Sequence, residues 1–298
     1  MSGLTGLVLV FATVFGGYLL AGGTLGVILY SLPFELMIIA GAAVGALIIA
    51  NSFTGVKQTA KDLARAFTGP RWTPQDHRDL LCLLFQLLRI HRTKPMELDA
   101  HIEDPSASPI FTAYPRIFAE GEVVSIICDT MRSMTLNYND PHQVEATLEK
   151  RIEVHHGEAE RPARALQVMA DGLPALGIVA AVLGVIKTMA SIDQPPAVLG
   201  RMIAGALVGT FLGVFLAYGV VAPLAARLRA VINEEHAFYM VLRDVLVASL
   251  QGHAPNICVE VGRQCVPSHL RPSFIELDAA LRNVRQGPAT VQPLALAA

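Results

Sequence analysis

Charge is scarce in this sequence. Of 298 residues, 16% are Asp, Glu, Lys or Arg, against roughly 25% in soluble domains. The 23 basic and 25 acidic side chains leave a formal net charge of −2, so there is no basic surface to hold a nucleic acid. Four cysteines in so long a chain exclude a disulfide scaffold, and 53% apolar residues exclude disorder. Catalytic signatures are missing too. No HExxH or GxSxG occurs, and Gly184-Val-Ile-Lys187-Thr188 lacks the Gly-Lys adjacency of a phosphate loop. His155-His156 with Glu158 and Glu160 reads as the solvated face of a charged helix. Cys258 and Cys265 near His253 and His269 match no zinc spacing. The expectation is a protein that is not an enzyme and holds no metal or cofactor.

What is present is long apolar runs, and mean hydropathy is +0.47. Residues 1–50 carry one charge, Glu35. One run extends from about Leu4 to Leu20, a second from Leu32 to Ala50, and a third from Leu173 to Ile186, continuing past Lys187 to Ser191. A fourth, Met202 to Ala226, has no charge at all. A bilayer crossing needs about 20 apolar residues at 1.5 Å each. The reading is an all-α membrane protein of four transmembrane helices in two hairpins. The first run lacks the basic flank of a cleaved signal. Segments 1–51 and 170–226 are the membrane hairpins. Segments 52–169 and 227–298 are a helical polar domain and a helical tail.

Lys and Arg set the orientation. Fourteen lie in 52–169 and seven after 226, whereas the connections 21–31 and 192–200 hold none. Lys57 and Lys61 follow helix two, and Arg227 and Arg229 follow helix four. The hairpin tips then face outward, and both termini and both polar segments lie in the cytoplasm. Cys82, Cys128, Cys258 and Cys265 are expected there as reduced thiols.

The polar segments have amphipathic helical spacing. Residues 76–90, with Leu80, Leu81, Leu83, Leu84, Leu87 and Leu88, present an apolar face broad enough to be buried between neighbours. Further helices are expected over Pro115–Met134 and over 142–170, the latter running straight into membrane helix three. After helix four, Leu224, Leu228, Val231, Phe238, Leu242 and Val245 keep a three-or-four spacing. Membrane helices three and four should continue beyond the bilayer as long rods. Only the last dozen residues are of low complexity.

A proton or sodium path needs a titratable or coordinating group inside the membrane. Glu35 falls near the outer edge of helix two and Asp171 at the inner edge of helix three, while Lys187 can snorkel. The carboxylate that carries a proton is therefore expected from another chain. Gly177, Ala181, Gly184 and Thr188 share a face of helix three, and Gly205, Gly209 and Gly213 form a small-residue stripe on helix four. Such faces either pack around a partner or pack on each other, with Thr210 bonded to its own backbone. Pro174 and Pro223 fall near the cytoplasmic ends at similar depth. Pro174 fits a first turn, whereas Pro223 lies inside a helix and should distort it.

Several runs resemble one family. Asp171-Gly-Leu-Pro174-Ala-Leu-Gly-Ile-Val-Ala-Ala181-Val-Leu-Gly184, Leu207-Val-Gly-Thr210-Phe-Leu-Gly213 and Tyr218-Gly-Val-Val-Ala-Pro223-Leu are similar to the flagellar motor stator family MotA. So are Ile102-Glu-Asp-Pro105, Tyr114-Pro-Arg116, Val259-Glu-Val-Gly262-Arg263 and Arg271-Pro-Ser-Phe-Ile-Glu276-Leu. The resemblance implies an inner-membrane pentamer around a dimer of MotB, a single-span chain that supplies the membrane aspartate. Ion flow then turns the ring against the rotor protein FliG. The family's functional prolines fall on Pro174 and Pro223, and its threonine on Thr210. Sodium-driven members carry a second threonine where this chain has Ala181. A methyl supplies no oxygen ligand, so the coupling ion is expected to be the proton. The family's rotor contacts fall on Asp99 and on His91 or Arg92, with Arg92 preferred and Arg89, Lys94 and Glu97 as neighbouring substitutes.

The sequence leaves two rivals. A TolQ- or ExbB-type channel subunit usually has three membrane helices, so the first hairpin favours the motor. A secondary transporter needs its own mid-membrane groups and inverted repeats, which the sequence does not display.

Overall fold

In a computed structural model the chain is described over residues 2–135 and 140–285. The low-complexity end expected from composition lies outside these residues. Among the described residues all regular structure is helical. Two compact units form, one from residues up to 69 with 157–232, the other from 70–156 with 233 onward.

The first unit holds the apolar helices. Four helices are long and apolar enough to cross a membrane: Gly3–Leu20, Leu25–Ala50, Arg161–Met189 and Pro196–Leu250. Helix α1 is Ser2–Leu20 and α2 is Leu25–Ala50, with the turn between them passing through Gly22 at φ +85°. α2 thus starts at Leu25, not Leu32, and runs through Pro33. One helix-interior proline costs about 3 kcal/mol in water, but unwinding the turns before it in lipid would expose backbone groups at several kcal/mol each. α3 (Phe53–Leu63) is capped by Ser52, whose hydroxyl accepts from Gly55 N at 3.1 Å, and is followed by α4 (Arg65–Thr68). Outward-facing apolar side chains are common on this unit, among them Leu29, Met37, Ile178, Val182 and Leu207.

The second unit has an ordinary buried core. α5 (Pro74–Thr93) opens with a capping box between Thr73 and Asp76. Its six expected leucines are all at most 1% exposed. Around it lie α6 (Pro95–Glu103), α7 (Pro109–Thr112), α8 (Pro115–Phe118), α9 (Gly121–Thr135) and α10 (Pro141–Ala159). The single helix expected over Pro115–Met134 is therefore two, α8 and α9. The helix expected to run unbroken from 142 into membrane helix three is also two. α10 ends at Ala159 and α11 is Arg161–Met189. Pro162 lacks an N–H and crowds the carbonyl of the preceding turn, which places the seam at Glu160.

The fourth apolar run begins α12 (Pro196–Leu216), passes through a π-helical turn at Ala217–Val221 and continues as α13 (Ala222–Leu250). These 55 residues have continuous helical backbone. α13 belongs to the first unit up to Ile232 and to the second from Asn233. α14 (Pro255–Cys265) and α15 (Phe274–Arg285) complete the second unit. Gly262 of α14 sits where a Cβ would run into Val245 and Leu81. α15 is capped reciprocally: Ser273 Oγ accepts from Glu276 N at 3.2 Å and Glu276 accepts from Ser273 N at 2.8 Å.

Candidate ion-path site

Helices α2, α11 and α12 pack side by side in the first unit. Glycine explains how closely α11 and α12 approach. A Cβ on Gly213 would lie 2.7 Å from Leu173 O and 2.8 Å from Gly177 Cα. A Cβ on Gly177 would lie 2.8 Å from Gly209 O, and one on Gly184 would strike Ala206. Side chains at these positions would force the helices apart. Within the chain Gly177, Gly184, Gly209 and Gly213 pack on the facing helix, the second of the two arrangements open to such faces. Gly205 and Gly209 also receive α2. A Cβ on Gly205 would lie 2.9 Å from Ser31 Oγ, and one on Gly209 would lie 2.7 Å from Glu35 Oε2.

These contacts fix the register of the antiparallel pair, with Leu173 beside Gly213, Ala180 and Ala181 beside Gly209, and Gly184 beside Ala206. Ala181 and Thr210 therefore share one level, and both are half-buried. Thr210 makes no hydrogen bond among the described residues, whereas Thr188 donates to Gly184 O at 2.9 Å.

The same register separates the two prolines. Pro174 is level with Gly213 and inside α11, well past its first turn. Pro223 comes ten residues after Gly213, about 15 Å along the helix at 1.5 Å per residue. There Ala163 and Leu166 pack with Ala225 and Leu228. The expected similar depth is corrected by a helix-to-helix offset that neither run discloses alone. Pro223 is exposed, and the π turn lies just before it. In that turn Ala222 N–H bonds Ala217 O, five residues back. The longer step accommodates a proline that can neither donate a bond nor tolerate the usual carbonyl beneath its ring. α1 leans on this region through Phe11 and Phe15, which meet Phe215 edge-on at 5.0 and 5.5 Å.

Glu35 is the residue whose position sequence reasoning misjudged. Because α2 begins at Leu25, Glu35 is ten residues into the helix, about 15 Å, and not at its edge. It is 8% exposed. Being the only charge in the first fifty residues was the signal that singled it out.

The expected rotor residues lie in the second unit, at the end of α5 and in α6. Arg89, Arg92, Glu97 and Asp99 are exposed. Arg92 donates to Gly252 O at 3.0 Å, and Glu97 pairs with Lys94 at 2.6 Å. Arg89 and Asp99 form no ion pair among the described residues. His91 is half-buried, and burial lowers its pKa. Ile102-Glu-Asp104-Pro105 has a local structural role: Asp104 accepts from Ser106 N at 3.1 Å and Ala107 N at 3.2 Å, and the Ser106 hydroxyl donates to it, which holds its carboxyl below the usual range. Tyr114-Pro-Arg116 is likewise structural, with Arg116 donating to Arg71 O at 2.6 Å and pairing with Asp76 at 3.2 Å. Arg71 bridges Glu120 and Glu235 and lies 4.7 Å over the Trp72 ring, which stacks on Phe238 at 4.0 Å.

No disulfide links the four cysteines. Cys82, Cys128 and Cys258 are buried and Cys265 is exposed. Burial pushes the Cys82 thiol up to about 12 and the Cys128 thiol up to about 11. Cys258 donates to His253 O at 3.4 Å, and His269 pairs with Glu234 at 2.8 Å. His156 stacks on His236 with ring centroids 4.0 Å apart. Among the described residues no three His, Cys, Asp or Glu side chains gather as metal ligands.

Comparison with known proteins agrees with this geometry. Residues 4–95 match the motility protein A N-terminal family, and residues 120–240 match the MotA/TolQ/ExbB proton channel family. Motility protein A of Escherichia coli is 44% identical over 95% of this chain and 95% of its own length. The chemotaxis protein LafT of Vibrio parahaemolyticus is 35% identical over 93% and 97%. Among solved structures, C. jejuni MotAB superposes with a TM-score of 0.70 at 20% identity, covering 92% of this chain and 98% of that one. The flagellar MotAB stator complex from Bacillus subtilis gives 0.65 at 21% identity, covering 86% and 92%. The chain therefore belongs to the motility protein A family, within the wider group of MotA/TolQ/ExbB proton channels.

Proposed function

We propose that the chain is the stator subunit of a bacterial flagellar motor, lying in the inner membrane with four spans and both termini in the cytoplasm. The observation that carries the reading is 44% identity to a motility protein A across 95% of both chains. The match at residues 4–95 favours the motor over a TolQ- or ExbB-type subunit. The cluster of Lys and Arg outside the apolar helices supports the orientation.

The proposed partners are a dimer of the single-span MotB, the rotor protein FliG, further copies of this chain in a pentamer, and membrane lipid. Two solved structures of this fold are MotAB complexes. In this reading MotB brings the aspartate that binds the coupling ion. The glycine-locked pair α11–α12 faces it with Ala181 and Thr210. Thr210 can hydrogen-bond the acid or its water, and Ala181 adds no oxygen, so the site favours a proton over sodium. The closely packed pair moves as one body. The π turn before Pro223 is a place where α12 can change its hydrogen-bond step and pass motion into α13. Arg89, Arg92, Glu97 and Asp99 give a mixed-charge face for the rotor. Each exposed pair contributes little, so several steer together.

Three tests follow. Deleting the gene should leave flagella present and cells immotile. Swimming should stop with a protonophore and persist without sodium; dependence on sodium alone contradicts the proton assignment. Reversing Arg92 and Asp99 together should cripple rotation while the complex still assembles, and unchanged swimming rejects the rotor face.

A further inference from the structure

Glu35 carries a second inference. Its Oε2 is buried and has no hydrogen-bond partner among the described residues. It points at Gly209, beside Ala180 and the Ala181 amide. The same residue lines a half-open cavity of about 700 Å³ with Ser31, Tyr30, Gly205, Lys187 and Arg201. An ionised carboxylate with one oxygen sealed among glycine and alanine is disfavoured when nothing pairs with that oxygen. A protonated one does not, because a neutral carboxyl loses far less hydration. The charged groups that face the cavity are Lys187 of α11 and Arg201 of α12, and α2 adds the Tyr30 phenol. Neither cation lies within ion-pair distance of Glu35 among the described residues, and both are exposed. Their field is therefore weakened by solvent but still favours the carboxylate. Glu35 thus joins a sealed carboxyl oxygen to a half-open cavity rimmed by two cations.

We propose that Glu35 is a proton-binding station of this chain itself, loaded from the water that fills the Lys187–Arg201 cavity. The step is simple: hydronium gives its proton to the carboxylate, an O–H bond forms at Glu35, and water is left. The station sits at the level of Gly209, one residue from Thr210 and Ala181, so it lies beside the surface offered to the partner's acid. Which side of the membrane the cavity opens to rests on the orientation proposed above; the station itself does not.

A hydrophobic carbodiimide reacts with protonated carboxyl groups, so it tests the idea on the wild-type complex in vesicles. Mass spectrometry should find the adduct at Glu35, with yield falling as the pH on the cavity side rises. Arg201→Gln weakens the cationic rim and should move that fall to higher pH. Absence of the adduct at every pH, or an adduct yield independent of pH, overturns the inference. Glu35→Gln keeps the shape and should alter the dependence of proton flux on cavity-side pH. Reduced flux with an unchanged pH profile means a packing role only, and so does wild-type flux; either overturns the proposal. If Glu35→Gln does not assemble, the adduct on the wild-type chain decides alone. A complex that turns the motor but is never labelled refutes the station and leaves the motor standing.

Discussion

Gly213→Ala is the smallest change that addresses the α11–α12 pair. The new methyl would lie 2.7 Å from Leu173 O, 2.8 Å from Gly177 Cα and 3.1 Å from Gly177 N. All three neighbours are backbone atoms and cannot rotate away. Normal contact requires the helices to part by several tenths of an ångström, which also loosens Gly177 on Gly209 and Gly184 on Ala206. Overpacking of this kind costs about 1–3 kcal/mol. Helix propensity acts in the opposite direction by up to about 1 kcal/mol. Gly172→Ala is the matched control, since a Cβ there meets nothing within 4 Å; it keeps the propensity gain alone. Thermal unfolding of the purified complex in detergent should show Gly213→Ala lowered by roughly 2–8 °C and Gly172→Ala unchanged or raised. Swimming speed should fall only in the first. If Gly213→Ala matches the wild type in both assays, the close approach is not what holds the pair together.

Further expectations concern the second unit. His77 is buried, donates from Nδ1 to Thr73 O at 3.0 Å, and has its pKa lowered by burial. The unfolded chain takes up that proton below about pH 6.5 while the fold resists it, so stability should rise with pH in that window and fall as the pH drops. His77→Phe should flatten the slope in thermal unfolding between about pH 7 and 5.5; an unaltered slope rejects the assignment. Arg71→Leu removes the guanidinium that bridges Glu120 and the buried Glu235 and should cost about 1–3 kcal/mol in denaturant unfolding, toward the lower end because Arg71 is itself exposed. Maleimide labelling of the folded protein should modify Cys265 well before Cys82, Cys128 or Cys258; early modification of Cys82 would mean that α5 is not buried.

The apolar helices were legible from sequence because length and absence of charge are properties of a single segment. The leucines of α5 were legible for the same reason: six in nine residues leave no polar face. Features set by two segments were not. The apolar run opens at Leu32, whereas α2 begins at Leu25 and carries Pro33 within it, because backbone groups in lipid must stay bonded. The seam at Glu160 was missed because Pro162 sits within a strongly helical pattern. The depths of Pro174 and Pro223 depend on the offset between α11 and α12, which Gly213 against Leu173 determines and no single run encodes. The same applies to the glycines. Their spacing announced a close-packed face, and the structure decides what packs there. Ala181 and Thr210 were named through the resemblance, and their common level follows from Gly209 lying beside Ala180.

The central claim is that this chain moves protons only together with an acid borrowed from a second polypeptide. The direct measurement is proton flux into pH-sensitive dye-loaded vesicles, with the chain reconstituted alone and then with its single-span partner. Flux should be absent with the chain alone, appear with the partner, and vanish when the partner's membrane aspartate is replaced by asparagine. Sustained proton flux through the chain alone would contradict the account.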